Sequence, residues 1–100
     1  MDVYKMKVFP SAKIDILDIV DHFNTLAPDA ATQAYDRFVE QIGTLTVSPE
    51  RCPLAKDTQL RLRGYRTFSV DDYTVFFVLR AETVDIRRIL YSKRQYERLF

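Results

Sequence analysis

A continuous apolar run in the second half of the chain, Tyr73 to Leu79, constrains the fold more than any other feature. In an extended strand, successive side chains point to opposite faces. Both faces of this run are then apolar, one with Tyr73, Val75, Phe77 and Leu79 and the other with Phe76 and Val78. Such a strand belongs in the interior of a sheet that is covered on both sides. A second β-rich run, Thr83 to Tyr91, follows after a short polar break and predicts a hairpin with the first.

The composition predicts one domain, residues 1–100, that folds without cofactor, metal or disulfide. One hundred residues suffice to bury a core without cross-links. Cys52 is the only cysteine, which excludes an intramolecular disulfide and fits a reducing cytosol. We interpret it as a small packing residue rather than a catalytic thiol. His22, the only histidine, is expected at the surface, so a histidine-based metal site is not expected. With no signal-peptide pattern and no bilayer-spanning run, we expect a cytoplasmic protein with no membrane partner.

Charge is distributed unevenly between the two halves. Residues 1–50 carry four Lys or Arg against eight Asp or Glu, a balance of −4. Residues 51–100 carry eleven against six, a balance of +5, so the net charge is +1. This asymmetry favours an acidic partner for the second half, either nucleic acid or an acidic peptide. The alternative is that the arginines form solvated strand faces.

The first half reads as a strand followed by two helices. A strand is expected over Val3 to Phe9, ended by Pro10. Ser11 is the expected N-cap of a helix that runs to about Ala27, and Asp29 is the expected cap of the next. The helical stripes are Ala12, Ile16, Ile19, Val20, Phe23 and Ala27, then Ala31, Ala34, Tyr35, Phe38, Ile42 and Leu45. Three carboxylates, Asp15, Asp18 and Asp21, lie away from the centre of the first stripe and are expected to be solvated.

The second half reads as three strands. Leucine and arginine alternate from Leu60, which predicts a strand to Phe68 with a bulge at Gly64. A turn at Asp71–Asp72 leads into the central run, and residues 93–100 are expected to form one or two helical turns. The resulting fold class is α+β, with the order β-α-α-β-β-β-(α). We expect a twisted, mostly antiparallel sheet, a helix hairpin packed on one face, and a basic, concave second face.

No phosphate loop, activated nucleophile or metal-ligand spacing occurs in the chain. The remaining candidates are basic and aromatic: Lys56, Arg61, Arg63, Arg66, Arg80, Arg87, Arg88, Tyr91, Lys93, Arg94 and Tyr96. Such a set can hold phosphates by charge and stack bases on rings. It could also cleave RNA, which requires a base, an acid and cations that stabilise the transition state.

The chain resembles the RelE/ParE superfamily of type II toxin–antitoxin toxins, which include plasmid-stabilisation toxins. The order of elements is similar over the whole chain. The more specific similarity lies in three segments: Leu62-Arg63, the strand Val70 to Phe77, and the run Ile86 to Tyr96 with its paired arginines and basic ending. The resemblance implies a growth-inhibiting toxin that a cognate antitoxin neutralises.

The resemblance leaves the mechanism open, because RelE-like members cut mRNA on the ribosome whereas ParE-like members poison DNA gyrase. Of the positions that carry the nuclease chemistry, Arg66 and Arg94 match. Three depart, with Phe68 in place of a basic residue, Thr74 in place of an arginine and Phe100 in place of a tyrosine. We therefore favour ParE-like action without nuclease chemistry. The alternatives are a ribosome-dependent endoribonuclease and a non-toxic binding module that retains the fold.

The candidate residues divide by role. If the protein is a nuclease, the catalytic residues are Arg66, Tyr91 and Arg94, and Tyr91 stands where related members often carry histidine. The candidate residues for binding nucleic acid or another target are Lys56, Arg61, Arg63, Arg88, Lys93 and Tyr96. The candidate antitoxin contacts are Leu99 and Phe100.

Overall fold

The computed structural model describes residues 3–93 and 99–100. The strands are β1 (Lys5–Val8), β2 (Tyr65–Val70), β3 (Tyr73–Arg80) and β4 (Thr83–Tyr91). The helices are α1 (Pro10–Leu26), α2 (Pro28–Gly43) and the short α3 (Thr58–Leu62), with 3₁₀ turns at Thr44–Thr46 and Pro49–Arg51. The α+β class, with a mostly antiparallel sheet and a helix hairpin on one face, is confirmed. The helical turns expected at 93–100 lie mostly outside the described residues.

The sheet has the strand order β1-β4-β3-β2, which places the apolar run in its interior. Strands β2, β3 and β4 pair antiparallel, and β1 pairs parallel with β4. Three consecutive residues of β3, Val75, Phe76 and Phe77, have no accessible surface, which confirms that both faces are covered. Phe76 is paired with Arg88 and Phe77 with Ile86, so Arg87 is the extra residue of a β-bulge in β4.

The larger core lies between the helix hairpin and one face of the sheet, as expected. Its buried residues are Ala12 and Ile19 of α1, Phe38 and Ile42 of α2, Leu45, Cys52, and the sheet residues Val70, Val75, Phe77, Val84, Ile86 and Ile89. Residues of β3 therefore alternate as the pattern predicts, with Val75 and Phe77 toward the helices. Each helix alone could not bury its stripe, and the sheet completes the core.

The second face of the sheet carries a smaller apolar cluster. Its buried residues are Ala55, Leu60, Tyr65, Phe76 and Leu90, with Val78, Leu99 and Phe100 packed against them. The centre of this face is therefore apolar and covered, which differs from the basic surface expected from the sequence. Because Phe76 and Leu90 alternate with residues of the larger core, they need a cover of their own on this side.

The helix caps expected at Ser11 and Asp29 are wrong. The N-caps are Phe9 and Ala27, two residues earlier, so the helices begin at Pro10 and Pro28, and neither cap has a side-chain hydrogen bond. Proline suits the first helical position, because its φ is already helical and it has no N–H to leave unpaired there. Asp29 instead lies in the first turn of α2, where its charge complements the helix dipole.

The strand expected from Leu60 is also wrong in its first half. Residues 58–62 form α3, capped by the Asp57 carboxylate, which accepts a hydrogen bond from the Leu60 N–H at 3.0 Å. Gly64, at φ +83°, then turns the chain into β2, so it ends a helix and is not a bulge. The alternation of leucine and arginine is real but local: Leu60 is buried and Leu62 is 81% exposed on one turn of helix.

Candidate functional site

Arg66 fastens a loop to the sheet. It lies on β2, and its Nη1 donates hydrogen bonds to the backbone carbonyls of Glu50 at 3.2 Å and Cys52 at 2.6 Å. A backbone bridge between Leu54 and Arg66 closes the same edge of β2. The guanidinium is half-buried against this loop, so part of its donor capacity is used to hold the loop in place.

Tyr91 extends an aromatic row at the end of β4. Its ring packs edge-to-face on Tyr73 at 5.9 Å between centroids, and Tyr73 packs in the same way on Phe38 of α2 at 5.5 Å. Tyr91 is 44% exposed, so its outer side is available to a partner. Burial raises the pKa of Tyr73, which stays protonated at neutral pH.

The fold does not bring Arg66 and Tyr91 together. Arg66 is paired with Phe77 on one side of β3, and Tyr91 is paired with Tyr73 on the other side. These positions lie four residues apart along β3, a separation of about 13 Å along the strand in addition to its width. Arg94, the third candidate catalytic residue, lies outside the described residues.

Thr74 is the residue at which the resemblance implies an arginine in a nuclease. Its hydroxyl is 2.8 Å from the hydroxyl of Ser92. The pair links β3 to the end of β4, where the Ser92 N–H also donates to the Asp72 carbonyl at 2.9 Å. A neutral hydroxyl pair therefore stands where transition-state charge would need a cation.

The Arg88 guanidinium forms hydrogen bonds with two separate parts of the fold. Its Nε and Nη2 donate to the Asp15 carboxylate at 2.8 and 3.0 Å, and its Nη1 donates to the Leu99 carbonyl at 3.0 Å. The hydrogen bond with Asp15 raises the pKa of Arg88, which remains charged. These contacts support a structural role for Arg88 alongside the binding role expected from the sequence.

Asp15 is the residue that the sequence interpretation missed. It was expected to be solvated, yet it is 8% exposed, and its Oδ2 also accepts the Ile89 N–H at 2.9 Å. The carboxylate thus satisfies the backbone of β4 and the guanidinium of Arg88 together. Its position next to the apolar stripe, three residues after Ala12 and four before Ile19, is the signal that it faces the sheet.

The cations around α3 are exposed. Lys56, Arg61 and Arg63 surround the helix, and the Arg61 guanidinium contacts the Lys56 carbonyl and the Thr58 hydroxyl at 3.4 Å. Arg63 borders an open depression of about 380 Å³ that also includes Phe100. Lys93 is exposed after β4, and Tyr96 lies outside the described residues. The side chains of Lys56, Arg61, Arg63 and Lys93 are accessible to a partner. Their role in binding stays a prediction.

The last two residues fill a groove on the second face. The Phe100 ring packs edge-to-face on Tyr65 and on Phe76, each at 5.1 Å between centroids. Leu99 and Phe100 are both half-buried there. The two predicted antitoxin contacts are therefore part of one apolar surface.

Cys52 lies in the larger core, 4% exposed. Burial raises the pKa of its thiol, so the reactive thiolate is scarce at neutral pH. This agrees with its interpretation as a packing residue. Among residues 3–93 and 99–100, no three His, Cys, Asp or Glu side chains are grouped so that they could hold a metal ion. Within the same ranges, no helix has the length and apolar character needed to cross a membrane.

Comparison with known proteins gives a family and a fold. Residues 7–96 match the family model of the ParE toxin of the type II toxin–antitoxin system parDE. A structure of the chromosomal ParDE toxin–antitoxin system from P. aeruginosa has a TM-score of 0.79 at 22% identity, over 91% of this chain and 98% of that chain. The RelBE2 toxin–antitoxin complex from Mycobacterium tuberculosis has a TM-score of 0.57 at 22% identity, over 89% and 98%. No curated protein sequence matches significantly.

Proposed function

Because the chain belongs to the ParE toxin family of type II toxin–antitoxin systems, we propose that it arrests growth by blocking DNA gyrase and not by cutting RNA. The family model spans residues 7–96, which include the helix hairpin and all four strands apart from the first two residues of β1. The role as a toxin follows from the family. The target is our inference, drawn from the ParE-like character of the chain.

The proposal that the toxin has no nuclease chemistry rests on the separation of two candidate catalytic residues, Arg66 and Tyr91. Arg66 and Tyr91 lie on opposite sides of β3, and Arg66 is bonded to a loop. RNA cleavage needs a base and preorganised cations around one phosphate, and the loss of one such donor typically costs about 10²–10³ in rate. With a hydroxyl pair at Thr74, the described residues favour a toxin that acts by binding.

The first prediction concerns the fate of mRNA when the toxin is expressed without its antitoxin. We expect growth arrest with ribosome-bound mRNA intact, because Arg66 and Tyr91, the two candidate catalytic residues that the structure describes, lie apart. Mapping mRNA 5′ ends after induction measures this, and supercoiling by purified gyrase in the presence of the toxin measures the proposed target. New cuts within A-site codons that Arg94→Ala abolishes would overturn the proposal and establish the nuclease alternative. Unchanged supercoiling with intact mRNA would remove gyrase as the target.

We propose further that the antitoxin is the partner of the apolar groove around Leu99 and Phe100. Both similar structures come from toxin–antitoxin systems, which supports such a partner. The half-buried side chains of Leu99 and Phe100 cover Tyr65 and Phe76, and their accessible parts form an apolar surface near the exposed cations of α3. An amphipathic, acidic segment matches both properties.

The second prediction is that antitoxin binding slows hydrogen exchange in the region 83–100. The reason is that a bound segment would shield Leu99, Phe100 and the strand beneath them from water. Hydrogen exchange with mass spectrometry, with and without the antitoxin encoded by the neighbouring gene, checks it. The outer face of α1 around Ile14 and Leu17 serves as the internal control, and its exchange should stay the same. Unchanged exchange across 83–100 in a complex that forms would place the antitoxin elsewhere.

A further inference from the structure

The second face of the sheet continues beyond the apolar groove around Leu99 and Phe100. At the end of the sheet where β3 turns into β4, the strands surround an open depression of about 430 Å³. It is lined by Lys7 of β1, Arg80 of β3, Ala81, and Thr83 and Asp85 of β4. None of these residues belongs to the groove occupied by Leu99 and Phe100, so the face has two distinct surfaces.

The surface around this depression is cationic. Lys5 and Lys7 are exposed on one face of β1, because the alternate residues Tyr4, Met6 and Val8 pack against the larger core. Arg80 is exposed and lies 3.6 Å from the buried Asp85 carboxylate, so it offsets that charge. The other two cations, Lys5 and Lys7, attract negatively charged groups.

The chemistry of this surface favours carboxylates over nucleic acid. The aromatic ring at this surface, that of Phe9, already contacts two cations. The Lys7 ammonium lies 5.0 Å and the Arg87 guanidinium 4.4 Å from the ring centroid. Single-stranded nucleic acid gains much of its affinity by stacking bases on open rings. A ring already in contact with two cations offers little surface for such stacking.

The backbone beside this surface is a sheet edge. The Lys5 N–H donates to the Glu82 carbonyl at 2.7 Å, and the Phe9 N–H donates to the Ile86 carbonyl at 2.9 Å. Odd-numbered residues of β1 thus bond to β4, and the N–H and C=O groups of Met6 and Val8 point away from it. In the sheet formed by the described residues, β1 is an edge strand. The segment around Val47 covers the start of this edge, through the Val3–Val47 bridge and the Tyr4 N–H, which donates to the Thr46 carbonyl at 2.8 Å.

We propose that this edge and its two lysines, Lys5 and Lys7, bind an extended protein segment in which acidic and apolar residues alternate. The segment adds to β1 as a further strand, with hydrogen bonds to Met6 and Val8. Its acidic side chains lie beside Lys5 and Lys7, and its apolar side chains extend the opposite face. A second copy of this chain fits less well, because strand pairing would bring its own lysines against Lys5 and Lys7. The proposal is independent of the target of the toxin.

The test measures fluorescence anisotropy of a labelled synthetic peptide of alternating Glu and Val residues, seven in all, titrated with the full chain. We expect Lys7→Glu to weaken binding by about tenfold or more, since like charges across a pairing site are unfavourable. The matched control is Lys13→Glu, the same charge reversal at an exposed lysine of α1, and it should leave the affinity within about twofold. Circular dichroism of both variants confirms that they fold.

Two further probes decide the mode of binding. The same peptide with N-methyl groups on alternate residues should lose most of its affinity, because it cannot complete the strand hydrogen bonds. Equal affinity of the methylated peptide would overturn the strand arrangement. No binding to the unaltered chain, equal losses in Lys7→Glu and Lys13→Glu, or tighter binding of an oligothymidylate of equal charge would each overturn the proposed site.

Discussion

Replacing Asp15 with alanine is expected to lower the free energy of unfolding by about 3–5 kcal/mol, because it removes one partner of a largely buried ion pair. The Arg88 guanidinium would lose both hydrogen bonds to the carboxylate, and the buried Ile89 N–H would lose its acceptor. The carboxylate joins α1 to β4 across 73 residues of sequence. The substitution therefore removes a contact that ties α1 to β4.

Urea denaturation followed by circular dichroism measures this effect. Asp18→Ala is the matched control, since Asp18 lies one turn later on the same helix and is exposed, and it should change the stability by no more than about 0.5 kcal/mol. Asp15→Asn should fall between them, because an amide oxygen can still accept the Ile89 N–H. Equal midpoints for Asp15→Ala and Asp18→Ala would show that the Asp15–Arg88 pair does not stabilise the fold.

The central hairpin could be predicted from the sequence because its pattern is complete within the chain segment itself. A run apolar on both faces, from Tyr73 to Leu79, has only the interior of a sheet to occupy. The observed strands β3 and β4 match the two predicted runs, apart from the addition of Arg80 to β3. The helical stripes were informative as well, because sheet and helices must cover each other, although Ala27 and Tyr35 are exposed.

Asp15 and Leu60 show where local pattern fails. The burial of Asp15 depends on Arg88, a residue far away in sequence that no helical pattern includes. At Leu60, a four-residue alternation fits a strand and a single helical turn equally, and the Asp57 cap decides for the helix. In both cases a specific hydrogen bond settles what periodicity leaves open.

The positions of the candidate site residues depend on the register in which the strands pair, and composition does not reveal that register. Arg66 and Tyr91 belong to one basic and aromatic set in the sequence, yet the pairing of β2, β3 and β4 places them on opposite sides of the central strand. The bulge at Arg87 adds a further shift, since it aims that guanidinium at Phe9. The cationic edge of β1 is a product of the same tertiary pairing, because Lys7 and Arg80 lie at distant positions in the chain.

Replacing Phe38 with alanine should also cost about 3–5 kcal/mol, as expected for a large-to-small change in a packed core. Phe38 is 3% exposed and belongs to the core between the helices and the sheet. Its ring meets Tyr73, and Tyr73 meets Tyr91, so it is the buried end of the aromatic row. The cost combines the lost burial of the ring with the cavity that remains beneath the sheet.

Val39→Ala provides the control for this substitution, because Val39 is the next residue of α2 and is 54% exposed. We expect that change to alter the stability by no more than about 0.5 kcal/mol. Thermal or urea midpoints of the two variants give the comparison. Near-ultraviolet circular dichroism adds an independent reading, since loss of the Phe38 ring should change the environment of Tyr73. An unchanged midpoint for Phe38→Ala would show that Phe38 does not lie in the core. It would also contradict the packing of α2 on the central strand through this residue.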